Sequence, residues 1–109
     1  MNSENIHNVY FLGIGGIGMS AIARYYNSIG KNVAGYDKVS KTLTTELISE
    51  GINIHFDDQL KNIPGEFKNK ENTLIVFTPA VPKNNKELNY FIEHGFIIKK
   101  RSEVLGIIS

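Results

Sequence analysis

The sequence of 109 residues contains no cysteine, so it can form no disulfide bond and holds no cysteine-based metal site. No window approaches the roughly 18 consecutive apolar residues that a membrane-spanning helix requires. Residues 1–5 also lack the basic start and the apolar core of a signal peptide. We therefore expect a soluble, cytoplasmic protein without a membrane-inserted segment.

Neither sign of charge is in excess, since the sequence has 12 Lys and Arg residues and 11 Asp and Glu residues, which gives a net charge of +1. The basic residues are scattered apart from the run at residues 99–101, so nucleic-acid binding is not indicated. That run can be a solvated strand end or a phosphate contact, and the sequence leaves both open. A hydrophobic share of 41% and a charged share of 21% are typical of one globular domain.

A P-loop of the form G-x-x-x-x-G-K-[ST] is also missing, so ATP chemistry cannot be assigned to this sequence. Its one Gly-Lys pair, Gly30 and Lys31, lies at the end of a predicted helix and is followed by Asn32. Two of the three histidines, His7 and His94, lie away from the predicted ligand-binding edge. We predict no catalytic residue, no metal ion and no resident cofactor within these residues.

Short apolar segments alternate along the chain with segments of helical periodicity. The predicted strands are residues 9–12, 32–36, 52–56, 73–78 and 96–99. The predicted helices are residues 19–29, 43–50 and 87–94, and a fourth begins at Glu103 after a Ser102 cap. The polar stretch at residues 57–72 is interpreted mainly as a surface connection that contains one helical turn.

This alternation, without an internal repeat, predicts an α/β fold with a Rossmann-like parallel sheet of about five strands and helices on both faces. Ligands of such sheets bind at the carboxyl ends of the strands. We therefore expect the loops after Leu12, Tyr36, His55 and Phe77 to form one ligand-binding rim.

Gly13, Gly15 and Gly18 match the pattern G-x-G-x-x-G between a predicted strand and a predicted helix. In such a turn the first glycine makes the tight bend, the second lets the backbone approach phosphate oxygens, and the third permits close helix packing. Gly16 removes one more side chain beside the turn. The N–H groups and the dipole of the following helix favour an anion, so we interpret the segment as a diphosphate-binding turn.

Other candidate contacts lie on the same rim. Asp37 ends the second predicted strand, where a carboxylate can accept hydrogen bonds from ribose hydroxyls or can instead cap the next helix. His55 ends the third strand and is either a contact to base, ribose or phosphate or a satisfied surface histidine. Thr78 and the backbone of Ala80 and Val81 follow the fourth strand and are expected to flank a nucleotide.

The segment 13–20, Gly-Ile-Gly-Gly-Ile-Gly-Met-Ser, resembles the opening motif of the Mur ligases. Segments 35–37, 78–82 and 100–105 follow in the order in which the first domain of that family has similar segments. Many relatives carry serines where this chain has Thr78 and Pro79, so a backbone contact is the safer expectation there. Gly15 and Gly16 favour the alanine-adding members, because a sibling ligase that attaches recovered peptides has a cysteine among these glycines.

The resemblance implies a three-domain cytoplasmic ligase of peptidoglycan synthesis. Its first domain binds the UDP part of UDP-N-acetylmuramate, its central domain binds ATP and its third domain binds L-alanine. ATP phosphorylates the muramyl carboxylate, L-alanine attacks the acyl phosphate, and magnesium supports both phosphate steps. Residues 1–109 are expected to be the first domain alone, inactive by itself, with the other domains of its own chain as partners.

Two other classes of function remain open on the residues themselves. The same fingerprint and Asp37 would serve an NAD(P)-binding domain of a dehydrogenase or a regulatory sensor. A stand-alone interaction module that merely keeps the fold ranks last. The residues predicted to contact UDP are Gly13, Gly15, Gly16, Ile17, Gly18, Met19, Asp37, His55, Thr78, Ala80 and Val81.

Overall fold

A computed structural model describes residues 5–108 of the chain, with side chains described as far as Gly106. Within that part, five parallel strands form one sheet in the order β3-β2-β1-β4-β5. The strands are β1 Asn8–Leu12, β2 Asn32–Tyr36, β3 Asn53–His55, β4 Thr73–Phe77 and β5 Ile97–Lys100. The predicted parallel α/β sheet is confirmed.

The order in which the strands are added to the sheet reverses at β1, which lies between β2 and β4. Leu12 at the end of β1 is opposite Tyr36 on one side and Phe77 on the other, while His55 is opposite Tyr36. The carboxyl ends of four strands therefore meet at one edge. The loops that follow β1 and β4 diverge there, which creates the crevice in which ligands of such sheets bind.

Helices cover both faces of the sheet, as predicted. They are α1 Ile17–Ser28, α2 Thr42–Ser49, α3 Lys86–Glu93 and α4 Arg101–Ile108. Buried side chains of α1, α2 and α4, namely Ile22, Leu47 and Val104, pack on one face, and Leu88 and Phe91 of α3 pack on the other. No helix in the described part of the chain is long and apolar enough to cross a membrane.

The connection between β3 and β4 differs from the expected surface loop. It contains three short 3-10 turns, Leu60–Asn62, Gly65–Lys68 and Lys70–Asn72. Ile63 and Phe67 are buried with the core residues of the α3 face, and Phe67 is only 1% exposed. Most of residues 57–72 are exposed, as predicted, but one helical turn was expected and three are present. The two buried residues were missed because isolated apolar residues in a polar stretch carry no periodicity.

The start of α4 also corrects the prediction that Ser102 caps the helix. The helix begins at Arg101, directly after β5. The Glu103 carboxylate accepts the backbone N–H of Lys100 at 2.8 Å, so Glu103 caps the helix by reaching back from its third position.

Candidate functional site

Backbone hydrogen bonds join the glycine turn, residues 13–18, to the end of β2. Gly13 has a φ of +90°, a left-handed conformation that an L side chain rarely adopts. This conformation directs the N–H groups of Gly13 and Ile14 to the same carbonyl oxygen of Tyr36, at 2.8 and 3.1 Å. The first glycine therefore makes the tight bend, and the bend is held without any ligand.

Gly15 has a structural role that the pattern did not predict. Its N–H donates to Asp37 Oδ2 at 2.7 Å, and a Cβ built on it would lie 2.6 Å from that oxygen. Such a Cβ would also lie 2.9 Å from the Thr44 methyl group. The missing side chain makes room for a buried carboxylate rather than for a phosphate.

Asp37 is only 7% exposed and both of its oxygens already accept backbone N–H groups. Oδ2 accepts from Gly15, and Oδ1 accepts from Val39 at 3.0 Å. The residue lies on the rim as predicted, but its carboxylate braces the glycine turn. Its partner Gly15 lies 22 residues away in the sequence, so the pattern of either segment could not reveal the contact.

The first turn of α1 has no side-chain cap. Gly16 is the N-cap, with an extended conformation and no side-chain cap, and no acidic residue lies in the first turn. The first N–H group of α1 with a backbone acceptor is that of Ser20, which donates to Gly16 O at 2.8 Å. The N–H groups of Ile17, Gly18 and Met19 have no acceptor among the described residues, as is usual at a helix start. They present three donors and the positive end of the helix dipole.

A cavity of about 350 Å³ opens beside the turn at the carboxyl ends of β1, β2 and β4. It brings together six of the residues predicted to contact UDP: Gly13, Gly16, Asp37, Thr78, Ala80 and Val81. Ile17, Gly18 and Met19 lie next to it at the start of α1, where Ile17 is 86% exposed and the Met19 side chain is buried in the core. Met19 as a whole is only 1% exposed, so its side chain offers no surface to a ligand.

The wall formed by the segment after β4 is held by local hydrogen bonds. Thr78 Oγ1 accepts the N–H of Ala80 at 3.2 Å, and Thr78 O accepts that of Val81 at 3.1 Å. The hydroxyl also lies 3.3 Å from the position of a Cβ on Gly13, so this wall contacts the glycine turn directly. The predicted proximity of these two loops, at the point where the strand order reverses, is confirmed.

Several cavity residues were missed by the sequence analysis. Lys38 and Lys41 bring two cations to the lining, and Asp58 lies on the same wall as Asn85. Asp58 accepts the N–H groups of Lys86 at 2.7 Å and Glu87 at 3.0 Å, so it caps α3. Both lysines follow the second strand on the predicted rim, and this position was the sequence feature that could have identified them as cavity residues.

His55 does not line this cavity. Its Nε2 lies 2.7 Å from Glu87 Oε2 and 3.1 Å from the Tyr10 hydroxyl, and that hydroxyl also donates to Glu87 Oε1. Burial of the ring, followed by the charge and hydrogen bond of Glu87 and the charge of Asp58, raises the pKa of Tyr10. The cluster ties β1 and β3 to the start of α3, so the Nε2 of His55 is committed within the protein.

Comparison with known proteins agrees with this geometry. The profile of the Mur ligase family, catalytic domain, matches residues 8–109. The chain is 61% identical over its full 109 residues to the UDP-N-acetylmuramate–L-alanine ligase of Flavobacterium psychrophilum and covers 24% of that protein. The solved UDP-N-acetylmuramate–alanine ligase of Thermotoga maritima is 30% identical with a TM-score of 0.78, over 90% of this chain and 21% of that one.

A murein peptide ligase from Psychrobacter arcticus has the same fold, with a TM-score of 0.77 at 19% identity, over 94% of this chain and 20% of that one. The chain thus spans about a quarter of the length of the curated relatives it matches. Because the family profile covers nearly all of its residues, the chain belongs to the Mur ligase family.

Proposed function

We propose that the chain is the UDP-binding domain of a ligase that joins L-alanine to UDP-N-acetylmuramate in peptidoglycan synthesis. The proposal is supported by the 61% identity, over every residue of the chain, to a relative named for that reaction. In this proposal residues 1–109 form one domain that holds the nucleotide end of the substrate. The central ATP-binding domain and the amino-acid-binding domain belong to the remainder of the parent protein.

The observation that carries the proposal is the uncapped first turn of α1 beside the cavity. Three backbone N–H groups, at Ile17, Gly18 and Met19, point out of the helix start without a protein acceptor among the described residues. Two or three such donors, with the helix dipole, form an anion-binding site. A diphosphate fits there because Gly16 puts no side chain between the turn and the cavity.

The cavity would then receive the uridine. Its volume of about 350 Å³ lies within the range of small-molecule sites. Tyr36 and Lys41 on one wall and Thr78 to Val81 on the other offer both apolar and polar surface to a base and a ribose. The N–H groups of Ala80 and Val81 already donate to Thr78, so a backbone contact to the nucleotide there would use their carbonyl oxygens.

The hydrogen bonds of Asp37 bear on the alternative that this domain binds NAD(P). In NAD-binding domains an acid at this place accepts the ribose hydroxyls. Here the carboxylate is buried, and each oxygen already accepts a backbone N–H. A contact to the ribose of UDP or of NAD would compete with the bonds that shape the glycine turn, so Asp37 alone does not separate the two nucleotides. The 61% identity to a UDP-N-acetylmuramate–L-alanine ligase supports UDP over NAD(P).

The bond-making chemistry is proposed to reside outside these residues. The family resemblance implies ATP and magnesium for the whole enzyme. No group of three or more His, Asp or Glu side chains in the described part of the chain is placed to hold a metal ion, and no P-loop is present. These residues therefore do not fit a magnesium–ATP site, and we assign them no step of phosphoryl transfer.

Titration of the 109-residue chain by amide NMR tests the proposal. UDP-N-acetylmuramate and UDP should shift the amides of residues 13–19, because the donors there change partners. Asn8 and Thr73, paired at the opposite end of the strands, are internal controls whose amides should not move. A Gly16→Val variant should lose the shifts while keeping its folded spectrum. Saturation by NAD with no response to the UDP compounds would refute the proposal.

A further inference from the structure

Arg101 lies against the first turn of α1. It is the first residue of α4 and follows β5 at the same edge of the sheet as the glycine turn. A Cβ built on Gly18 would lie 2.5 Å from Arg101 Nη1 and 3.1 Å from its Cδ. The absence of a side chain at Gly18 therefore lets the arginine side chain cross the start of the helix.

This position is electrostatically unfavourable for a cation by itself, because the start of a helix carries a partial positive charge. No acidic residue lies in the first turn of α1. Glu103, the acidic residue of the first turn of α4, uses Oε1 to cap Lys100. Among the described residues no ion pair involves Arg101, so no carboxylate there offsets the two positive groups.

We propose that Arg101 is a diphosphate-binding residue, whose guanidinium and the free N–H groups of Ile17 to Met19 hold the same phosphate oxygens. An anion between the arginine and the helix start converts two repelling groups into two attractive contacts. Guanidinium presents its N–H donors in a planar fork that matches phosphate oxygens. The inference deepens the proposed function and rests on it for the identity of the ligand, although it requires only a diphosphate.

Gly18 has a specific part in this arrangement. A methyl group there meets the far end of a flexible side chain, so Gly18→Ala displaces the guanidinium rather than the backbone. Alanine is also the better helix former inside α1. The substitution is therefore expected to weaken diphosphate binding while leaving stability unchanged or increased.

Dissociation constants from amide NMR titrations of the 109-residue chain test the inference, with UDP, inorganic pyrophosphate and uridine as probes. Arg101→Ala should weaken UDP and pyrophosphate by about 10- to 100-fold, as expected for charge-assisted hydrogen bonds, and leave uridine unchanged. The dissociation constants of Arg101→Lys should lie between those of the wild-type chain and those of Arg101→Ala. Lys100→Ala is the matched control, since it removes the same charge one residue away, and should change each constant by about twofold or less.

A double-mutant cycle separates the arginine from a direct steric effect. If Gly18→Ala acts through Arg101, it should cost no further affinity in the Arg101→Ala background. An Arg101→Ala variant that binds pyrophosphate as tightly as Lys100→Ala would overturn the inference while the proposed function could stand. Arginine-dependent pyrophosphate binding with no preference for UDP would instead overturn the proposed function alone. Wild-type chain that binds neither compound would overturn both.

Discussion

Replacing Gly15 with alanine should destabilise the fold, although the glycine belongs to a motif usually associated with phosphate. The added Cβ would lie 2.6 Å from Asp37 Oδ2 and 2.9 Å from the Thr44 methyl group. Both neighbours are buried, and Thr44 is fixed by reciprocal hydrogen bonds to the backbone of Lys41 at 2.8 Å. The carboxylate must therefore move away, and its bond to the Gly15 N–H is lost.

The magnitude follows from two contributions. Overpacking of a close-packed site costs about 1–3 kcal/mol. Loss of a buried hydrogen bond to a charged acceptor costs about 1.5–3 kcal/mol. Together they lower the free energy of unfolding by about 2.5–6 kcal/mol, a large part of the roughly 5–15 kcal/mol of a typical domain. For a domain of about 100 residues, the melting temperature should fall by about 10 °C or more.

Urea unfolding followed by circular dichroism measures the effect, and Gly16→Ala is the matched control. The nearest atom to a Cβ on Gly16 is Gly13 O at 3.7 Å, an ordinary contact. Since Gly16 is the N-cap of α1, its replacement should cost only about 1 kcal/mol or less. Asp37→Asn keeps the shape of the brace without its charge and should lie between these two variants.

A free energy of unfolding for Gly15→Ala within about 1 kcal/mol of the wild-type value would refute this prediction, because the overlap with Asp37 would then be relieved without cost. A lower free energy of unfolding for Gly16→Ala than for Gly15→Ala would refute it as well. A Gly15→Ala variant that keeps its stability but loses UDP binding would return Gly15 to the role of a phosphate contact.

Three other substitutions should give distinct results. Gly35→Ala should be more destabilising than Gly15→Ala in urea, because its Cβ would lie 2.6 Å from Phe11 O, a backbone atom of the paired strand that cannot move aside. Equal urea midpoints for the two variants would contradict this. Tyr10 keeps its proton in the folded state because its pKa is raised, so its contribution is complete below pH 10 and is lost above it. The advantage of wild type over Tyr10→Phe should therefore shrink by about 1.4 kcal/mol per pH unit above pH 10, and a constant difference would refute the assignment. Glu103→Ala removes the cap of α4 and should lower the free energy of unfolding, measured by urea titration, by about 1 kcal/mol. An unchanged free energy of unfolding would contradict this, because water would then replace the carboxylate at the Lys100 N–H without loss of stability.

The sequence predicts those parts of the fold that depend on local pattern. The apolar run of β4 and the periodicity of α1 identify their elements, although α1 begins at Ile17 rather than at residue 19. The rim follows as well, because strands of a parallel sheet end at the same edge, and Leu12, Tyr36 and Phe77 do lie side by side.

The parts that could not be predicted depend on contacts between distant segments. Asp37 is recognisable as a rim residue, but only the folded chain brings its carboxylate under Gly15. His55 was equally ambiguous, and its position is decided by Tyr10 and Glu87, which lie on β1 and α3. Arg101 approaches Gly18 from the opposite end of the sequence. In each case local pattern gives the place of a residue along the chain and not its partner.

The glycines of this turn meet four different physical demands. Gly13 supplies a left-handed backbone, Gly15 leaves space for the Asp37 carboxylate, Gly16 leaves the cavity side open, and Gly18 leaves space for Arg101. The first two are satisfied by protein hydrogen bonds alone, so the turn is shaped before a ligand arrives and little ordering cost falls on binding. Substitution at Gly13 or Gly15 should therefore act on folding, and substitution at Gly16 or Gly18 on affinity, although all four positions belong to one motif.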